Sequence, residues 1–230
     1  MNLAEFKKTR EQRRALEVQP RPRCLVCRNC DVICYCGQIT PVRTRIQFVI
    51  LIHRTEIKRS VATGRMTHLS LPDSVLFEGT DFSNHRKLNA IVQDPSNHPM
   101  LLYPGARAVN LTGLSPTDRR GLLPEGKRPV VILIDATWSH AKRIRRMSTN
   151  LHRLPQIAFS PTVPSAFRVR TQPNELCYST IEATHHLIGL LDGEAENLSK
   201  MLAPFNWMVE KQLKFAAPLG VWQRRRSRPA

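Results

Sequence analysis

Val130-Val-Ile-Leu-Ile-Asp135-Ala-Thr-Trp138 is the stretch on which the fold turns. An unbroken aliphatic run opened by Pro129 is the pattern of a strand buried on both faces, as in a parallel sheet covered by helices. It stops on Asp135, a carboxylate that a buried strand does not take for stability. Thr137 and Ser139 then offer helix caps ahead of Ala141-Lys-Arg-Ile144. Open α/β sheets take their ligands where a strand gives way to a helix, so Asp135 stands at a candidate site. The plainer reading of the same residue, a carboxylate that braces the turn, stays open beside it.

Outward from this unit the α/β pattern repeats. Residues 46–52 read as a strand, and residues 56–69 as a helix with Ile57, Val61 and Leu69 on its apolar side. Short strands are expected at 74–77 and 100–103, the second running straight into the turn dipeptide Pro104-Gly105. Residues 105–128 contain Gly113, Pro116, Gly121, Pro124 and Gly126, which predicts a long loop, functional or mobile. Residues 157–159 and 167–170 look like strands. Residues 179–191 read as a helix opened by the capping box Ser179-Thr-Ile-Glu182 and ended by Gly193. Between 196 and 215 a stripe of Leu198, Met201, Leu202, Phe205, Met208, Val209 and Leu213, interrupted by Pro204, is assigned to the core. No internal repeat is visible.

Lys and Arg outnumber Asp and Glu by 35 to 18 in 230 residues, a formal charge of +17. A chain this basic meets a polyanion, and nucleic acid is the leading candidate. No apolar run approaches the roughly 20 residues of a membrane span. The first residues lack the apolar core of a signal peptide, so the protein is read as cytosolic. Of its 6 cysteines all but Cys177 lie between positions 24 and 36, a crowding that suits a metal better than disulfides. Cys24-x2-Cys27 and Cys34-x-Cys36 supply four thiolates for a closed, structural zinc site. Cys24-x2-Cys27-x2-Cys30-x3-Cys34 also matches an iron–sulfur run, but Tyr35 stands where proline should follow and no second run exists. Zinc is the favoured reading. Cys177 is expected to be a buried thiol.

Asp135-Ala-Thr-Trp138 followed by Ala141-Lys142 resembles the motif of the DTW-domain family. The cysteine pairs, a strand ending in His53, Thr63-Gly-Arg65, Leu102-Tyr-Pro-Gly105, Phe167-Arg-Val-Arg170 and Ser179-Thr-Ile-Glu-Ala183 follow the family's order. The resemblance covers about residues 22–190. Cys30 and Arg54 depart from it, each where proline is common.

This resemblance implies an α/β fold with a SPOUT-like sheet, helices on both faces, a trefoil knot and a small N-terminal cysteine-rich zinc module. With the composition along the chain, the expected division is a basic arm (1–20), the metal module (21–40), the catalytic domain (41–215) and a basic tail (216–230), expected to be disordered. The implied activity is that of a tRNA-uridine aminocarboxypropyltransferase, which uses S-adenosyl-L-methionine to place a 3-amino-3-carboxypropyl group on N3. Tyr103, Pro104, Gly105, Asp135, Thr137, Trp138, Ser179, Thr180 and Glu182 would hold the donor. Asp135 would also either take the N3 proton or orient the donor. Lys142, Arg143, Arg145, Arg146, Arg168 and Arg170 would meet tRNA phosphates, and Zn2+ would sit on Cys24, Cys27, Cys34 and Cys36. An RNA methyltransferase with the same donor and a non-catalytic zinc-containing RNA-binding protein are the competing readings. The partners are thus tRNA and the donor, with no membrane and no oligomeric state assigned.

Overall fold

A computed structural model describes residues 22–170 and 172–216. The basic arm at 1–20 and, beyond Ala216, the C-terminal tail lie outside them. Six strands form one parallel sheet: β1 (Gln47–His53), β2 (Val75–Gly79), β3 (Asn97–Leu102), β4 (Ala108–Asn110), β5 (Arg128–Asp135) and β6 (Gln156–Ala158). Their order is β2-β1-β5-β3-β6-β4. The helices are α1 (Thr63–Ser70), α2 (Arg86–Gln93), α3 (Pro116–Gly121), α4 (Trp138–Met147), α5 (Thr180–Leu191) and α6 (Ala203–Ala216).

The aliphatic run at 130–134 lies in β5, flanked by β1 and β3. Its alternate residues feed two cores. Val131 and Leu133 join Phe48, Ile50 and Met100 beneath Met66 of α1, Ile181 and Ile188 of α5, and Phe205 and Met208 of α6. Val130 and Ile132 join Val49, Leu51 and Leu101 against Leu88 of α2 and Ile144 of α4. Helices therefore cover both faces. Each fully buried aliphatic side chain contributes roughly 1.5–3 kcal/mol. Four of them in β5 outweigh the several kcal/mol that one buried carboxylate costs.

Several expectations need correction. Residues 54–62 are not helical: Glu56 and Ile57 both donate their N–H to the His53 carbonyl in a tight turn, and α1 begins only at Thr63. The turn carries the Glu56 side chain inward, where a surface helix would have left it in water. The supposed loop at 105–128 contains the edge strand β4 and the short helix α3, capped by Ser115 with Pro116 in its first turn. Residues 167–170 form turns rather than a strand, tied locally by Arg168 N–H to the Ala166 carbonyl and Arg170 N–H to the Phe167 carbonyl. Pro204 does not interrupt the last helix. It lies in the first turn of α6, where a missing N–H leaves no hydrogen bond unmade. The apolar stripe around it is core, with Met201, Phe205 and Met208 wholly buried.

The cysteine-rich segment is not a free-standing appendage. Tyr35 and Cys27 are buried within the core that α1, α5 and α6 share with the sheet. No helix among the described residues is long and apolar enough to cross a membrane.

Candidate active site

Asp135 ends the central strand and is only 5% exposed. Its carboxylate accepts a hydrogen bond from the Thr180 hydroxyl on Oδ1, at 2.6 Å, and from the Gly64 N–H on Oδ2, at 3.1 Å. Thr180 opens α5 and Gly64 lies in the first turn of α1, so two helix N-termini converge on one carboxylate. The dipoles of the two helices favour negative charge at that point. The Thr63 hydroxyl accepts from the Thr180 N–H at 3.2 Å and ties the two helices together. A Cβ at position 64 would stand 2.6 Å from Cγ of Asp135. Glycine is therefore required for α1 to approach so closely.

Burial pushes the Asp135 carboxyl above its ordinary 3.8, the nearby Glu56 adds to the rise, and the Thr180 hydroxyl, Arg170 and the Gly64 N–H oppose it. Glu56 is itself fully buried. Its carboxylate meets Arg170 Nη1 at 3.1 Å and Arg59 Nε at 3.4 Å. Arg170, expected to face RNA, thus turns inward to neutralise a buried acid.

Around Asp135 opens a cleft of about 900 Å³, within the range of small-molecule sites. Segments far apart in sequence wall it: Tyr103 and Pro104 after β3, Asp135 to Ser139 at the start of α4, and Cys177 to Thr180 before α5. Thr137 caps α4, its side chain accepting from the His140 N–H. Trp138 is 43% exposed and meets Tyr103 edge to face, with ring centroids 6.5 Å apart. It belongs to the cleft rim and not to the core. The Arg145 guanidinium lies 5.0 Å over the Tyr103 ring, while Lys142, Arg143, Arg146 and Arg168 are exposed.

Two expected donor residues, Gly105 and Glu182, take other places. Gly105 is not among the lining residues, although Pro104 is. Glu182 turns its carboxylate to the Ser165 hydroxyl, the Ala166 N–H and the Ser179 N–H and hydroxyl. It fastens the 165–166 segment to α5, and the buried Ser179 shares in that fastening. Cys177 is half-buried in the cleft wall, its thiol donating to Asn174 Oδ1 at 3.3 Å. Sequence reasoning passed over Phe159 and Tyr178, which line the cleft with centroids 5.9 Å apart. It also passed over Glu56 as a site residue. An acid followed by Ile57 carries no local sign of burial, but Gly64 within Thr63-Gly-Arg65 was a readable mark of close approach.

The Sγ atoms of Cys24, Cys27, Cys34 and Cys36 lie within 4.8 Å of one another. Cys24 and Cys36 are 3.7 Å apart, and Cys27 and Cys34 3.6 Å. A tetrahedron of Zn–S bonds near 2.3 Å sets its sulfurs about 3.8 Å apart, so the donor set fits zinc. Cys30 is not in the group, and the iron–sulfur spacing that requires it is not assembled. Backbone N–H groups of Cys27 and Val26 pull the Cys24 thiol down to about 7. Burial raises those of Cys27 and Cys36.

The profile of the DTW domain matches residues 21–213. A Drosophila melanogaster protein named tRNA-uridine aminocarboxypropyltransferase 2 is 32% identical over 200 residues, covering 84% of this chain and 76% of its own. Proteins of the same name from Mus musculus and Macaca fascicularis are 28% and 26% identical, over 86% and 89% of this chain and 66% and 69% of theirs. No solved structure matches the chain.

Proposed function

The chain belongs to the DTW domain family, and from that premise we propose that it transfers the 3-amino-3-carboxypropyl group of S-adenosyl-L-methionine to N3 of a tRNA uridine. One observation carries the reading. The family motifs at Tyr103-Pro104, Asp135 to Trp138 and Ser179-Thr180 wall a single cleft around one buried carboxylate. Relatives named for this transfer align over most of the chain.

The donor's sulfonium activates the methylene of its aminocarboxypropyl arm, and methylthioadenosine leaves when that carbon is captured. The chain's part is to position and to move a proton. Uridine N3 must lose its proton to become a nucleophile, and Asp135 accepts it as general base. Each carboxylate oxygen keeps a lone pair beyond those given to Thr180 and Gly64, so the base stays anchored while it works. Burial raises its proton affinity toward the range a general base needs. The faces of Trp138, Tyr103, Phe159 and Tyr178 suit an adenine ring and attract a cation. Lys142, Arg143, Arg146 and Arg168 offer exposed charge to tRNA phosphates. Zinc on Cys24, Cys27, Cys34 and Cys36 would hold the N-terminal segment against the core.

The division into a metal module at 21–40 and a catalytic domain at 41–215 belongs to the same proposal, as does a compartment reducing enough to keep the thiols free. We extend it to a SPOUT-like, trefoil-knotted sheet. Six parallel strands agree with the SPOUT-like part, and a crystallographic chain trace through 103–127 and 159–179 tests the knot. The activity is tested with donor labelled either in its carboxyl carbon or in its methyl. Carboxyl label passing to tRNA, with methyl label left in the nucleoside product, is expected. Methyl transfer would make the protein a methyltransferase, and tRNA binding without donor binding would make it an RNA-binding zinc protein.

A further inference from the structure

A second recess, of about 580 Å³, lies between the cysteine module and the turn that precedes α1. Five cations line it: Arg23 and Arg28 from the module, Lys58 and Arg59 from the turn, and Arg65 from α1. No carboxylate among the described residues joins them. Of the five, only Arg59 makes an ion pair with a described residue, Glu56. Arg59 also lines the cleft around Asp135, so the two recesses meet at its side chain.

Two further details mark the recess as built for an anion. Arg28 follows Cys27 with φ at 62°, in the left-handed region. Its N–H donates to the Cys24 carbonyl at 2.8 Å and closes the turn. Glycine adopts that conformation freely, whereas a residue with a Cβ loses about 1–2 kcal/mol there. The chain keeps a cation where glycine would fold better. Arg65 is half-buried in the wall of the recess and makes no ion pair with a described residue. Cys24 and Cys27 line the same recess, and zinc on four thiolates carries two negative charges, fewer than the cations around it, so the recess keeps a positive excess that a bound anion relieves.

We infer that this recess binds the sugar–phosphate backbone of the tRNA beside the uridine presented to Asp135, making the cysteine module part of the RNA-binding surface. The inference rests on the transferase reading and adds to it a contact beyond the cations of α4. A phosphodiester chain suits the recess better than a lone phosphate for two reasons. The cations are spread along a path that continues into the cleft. Leu25, 95% exposed among them, offers an apolar face useful to a nucleoside but not to an inorganic ion.

The test uses the full-length, zinc-loaded protein and measures tRNA binding by fluorescence anisotropy across a salt series. Arg28→Gly and Arg65→Gln should each weaken binding about tenfold, as loss of a charged hydrogen bond does. Each should flatten the slope of log affinity against log salt by about one. Neither residue lines the donor cleft, so affinity for S-adenosyl-L-methionine should not change. Arg28→Gly should keep its zinc and melt no lower than wild type, and Arg65→Lys should restore the salt slope. If Arg28→Gly loses its metal, Arg23→Gln and Lys58→Gln, at exposed positions, carry the same expectation. Variants that bind tRNA within about twofold of wild type and with unchanged slope would overturn the inference. So would inorganic phosphate competing as well as RNA at equal phosphate concentration. A wild-type protein that modifies tRNA while these variants bind normally defeats this inference alone. A wild-type protein that binds no tRNA defeats the transferase reading with it.

Discussion

Asp135 is pulled both ways: burial holds its proton on, while the Thr180 hydroxyl and the Gly64 N–H favour the anion. Because its pKa in the fold lies above the ordinary 3.8, the native state holds the proton more tightly than the unfolded chain does. Its contribution to stability is then full below the unfolded value and is lost as pH rises through the folded value. Asp135→Asn carries no such penalty, so it should melt at or above the wild-type temperature at neutral pH. The gap should close as pH falls toward 3.8, and a clearly lower melting temperature at neutral pH would instead make the anion a structural brace. Catalysis runs the other way, since only the ionised carboxylate accepts a proton. The transfer rate should fall as pH drops through the folded pKa. Gly64→Ala drives a methyl into the carboxylate, and should cost about 2 kcal/mol of stability, as overpacking does. Urea denaturation measures that loss, and a steady-state assay should record reduced turnover beside it.

The 54–62 turn and the cysteine segment do their work as elements. The turn buries Glu56 between Arg170 and Arg59, and removing Arg170 leaves the buried charge with only the more exposed Arg59 as partner. Arg170→Met should lower unfolding stability by about 3 kcal/mol, with much of that recovered in the Glu56→Met, Arg170→Met double variant. Equal losses in the single and double variants would show that the pair does not act as a unit. In the cysteine segment, mass spectrometry should find one zinc per chain. Cys24→Ser should lose it and Cys30→Ser should keep it, because Cys30 stands outside the four-sulfur group. Iron in the wild type, or metal loss on Cys30→Ser, would return the iron–sulfur reading. These two elements also mark how far the sequence could be read. The strand ending on Asp135, the cap at Thr137 and the helix after Ser179 were legible because aliphatic runs and capping residues act locally. The Glu56 turn was not, since its inward course depends on Arg170, more than a hundred residues away. Nor were residues 167–170: Phe167 and Val169 alternate as a strand would, yet both are buried from a loop, Phe167 against Phe205 of α6.

Across the whole molecule, a sheet with helices on both faces brings three distant motifs to the carboxyl ends of its strands. β5 lies inside the sheet, between β1 and β3, so the residue that ends it is buried yet opens onto a cleft. Such convergence is a property of the fold, and spacing along the chain can only hint at it. Order of motifs supplied the hint here, while the aromatic wall of Phe159 and Tyr178 had no motif to announce it. The net charge of +17 suits a polyanionic substrate and predicts steep loss of tRNA affinity with added salt. In the proposed function the cleft at Asp135 performs aminocarboxypropyl transfer. It is tested most directly by reacting wild type and Asp135→Asn with the same unmodified tRNA, measuring donor affinity in parallel, and identifying the product nucleoside by mass. The wild type should yield aminocarboxypropyl-uridine, and the variant should show equal donor affinity with turnover at least about a hundredfold lower. A methylated uridine, or an Asp135→Asn protein as fast as wild type, would contradict it.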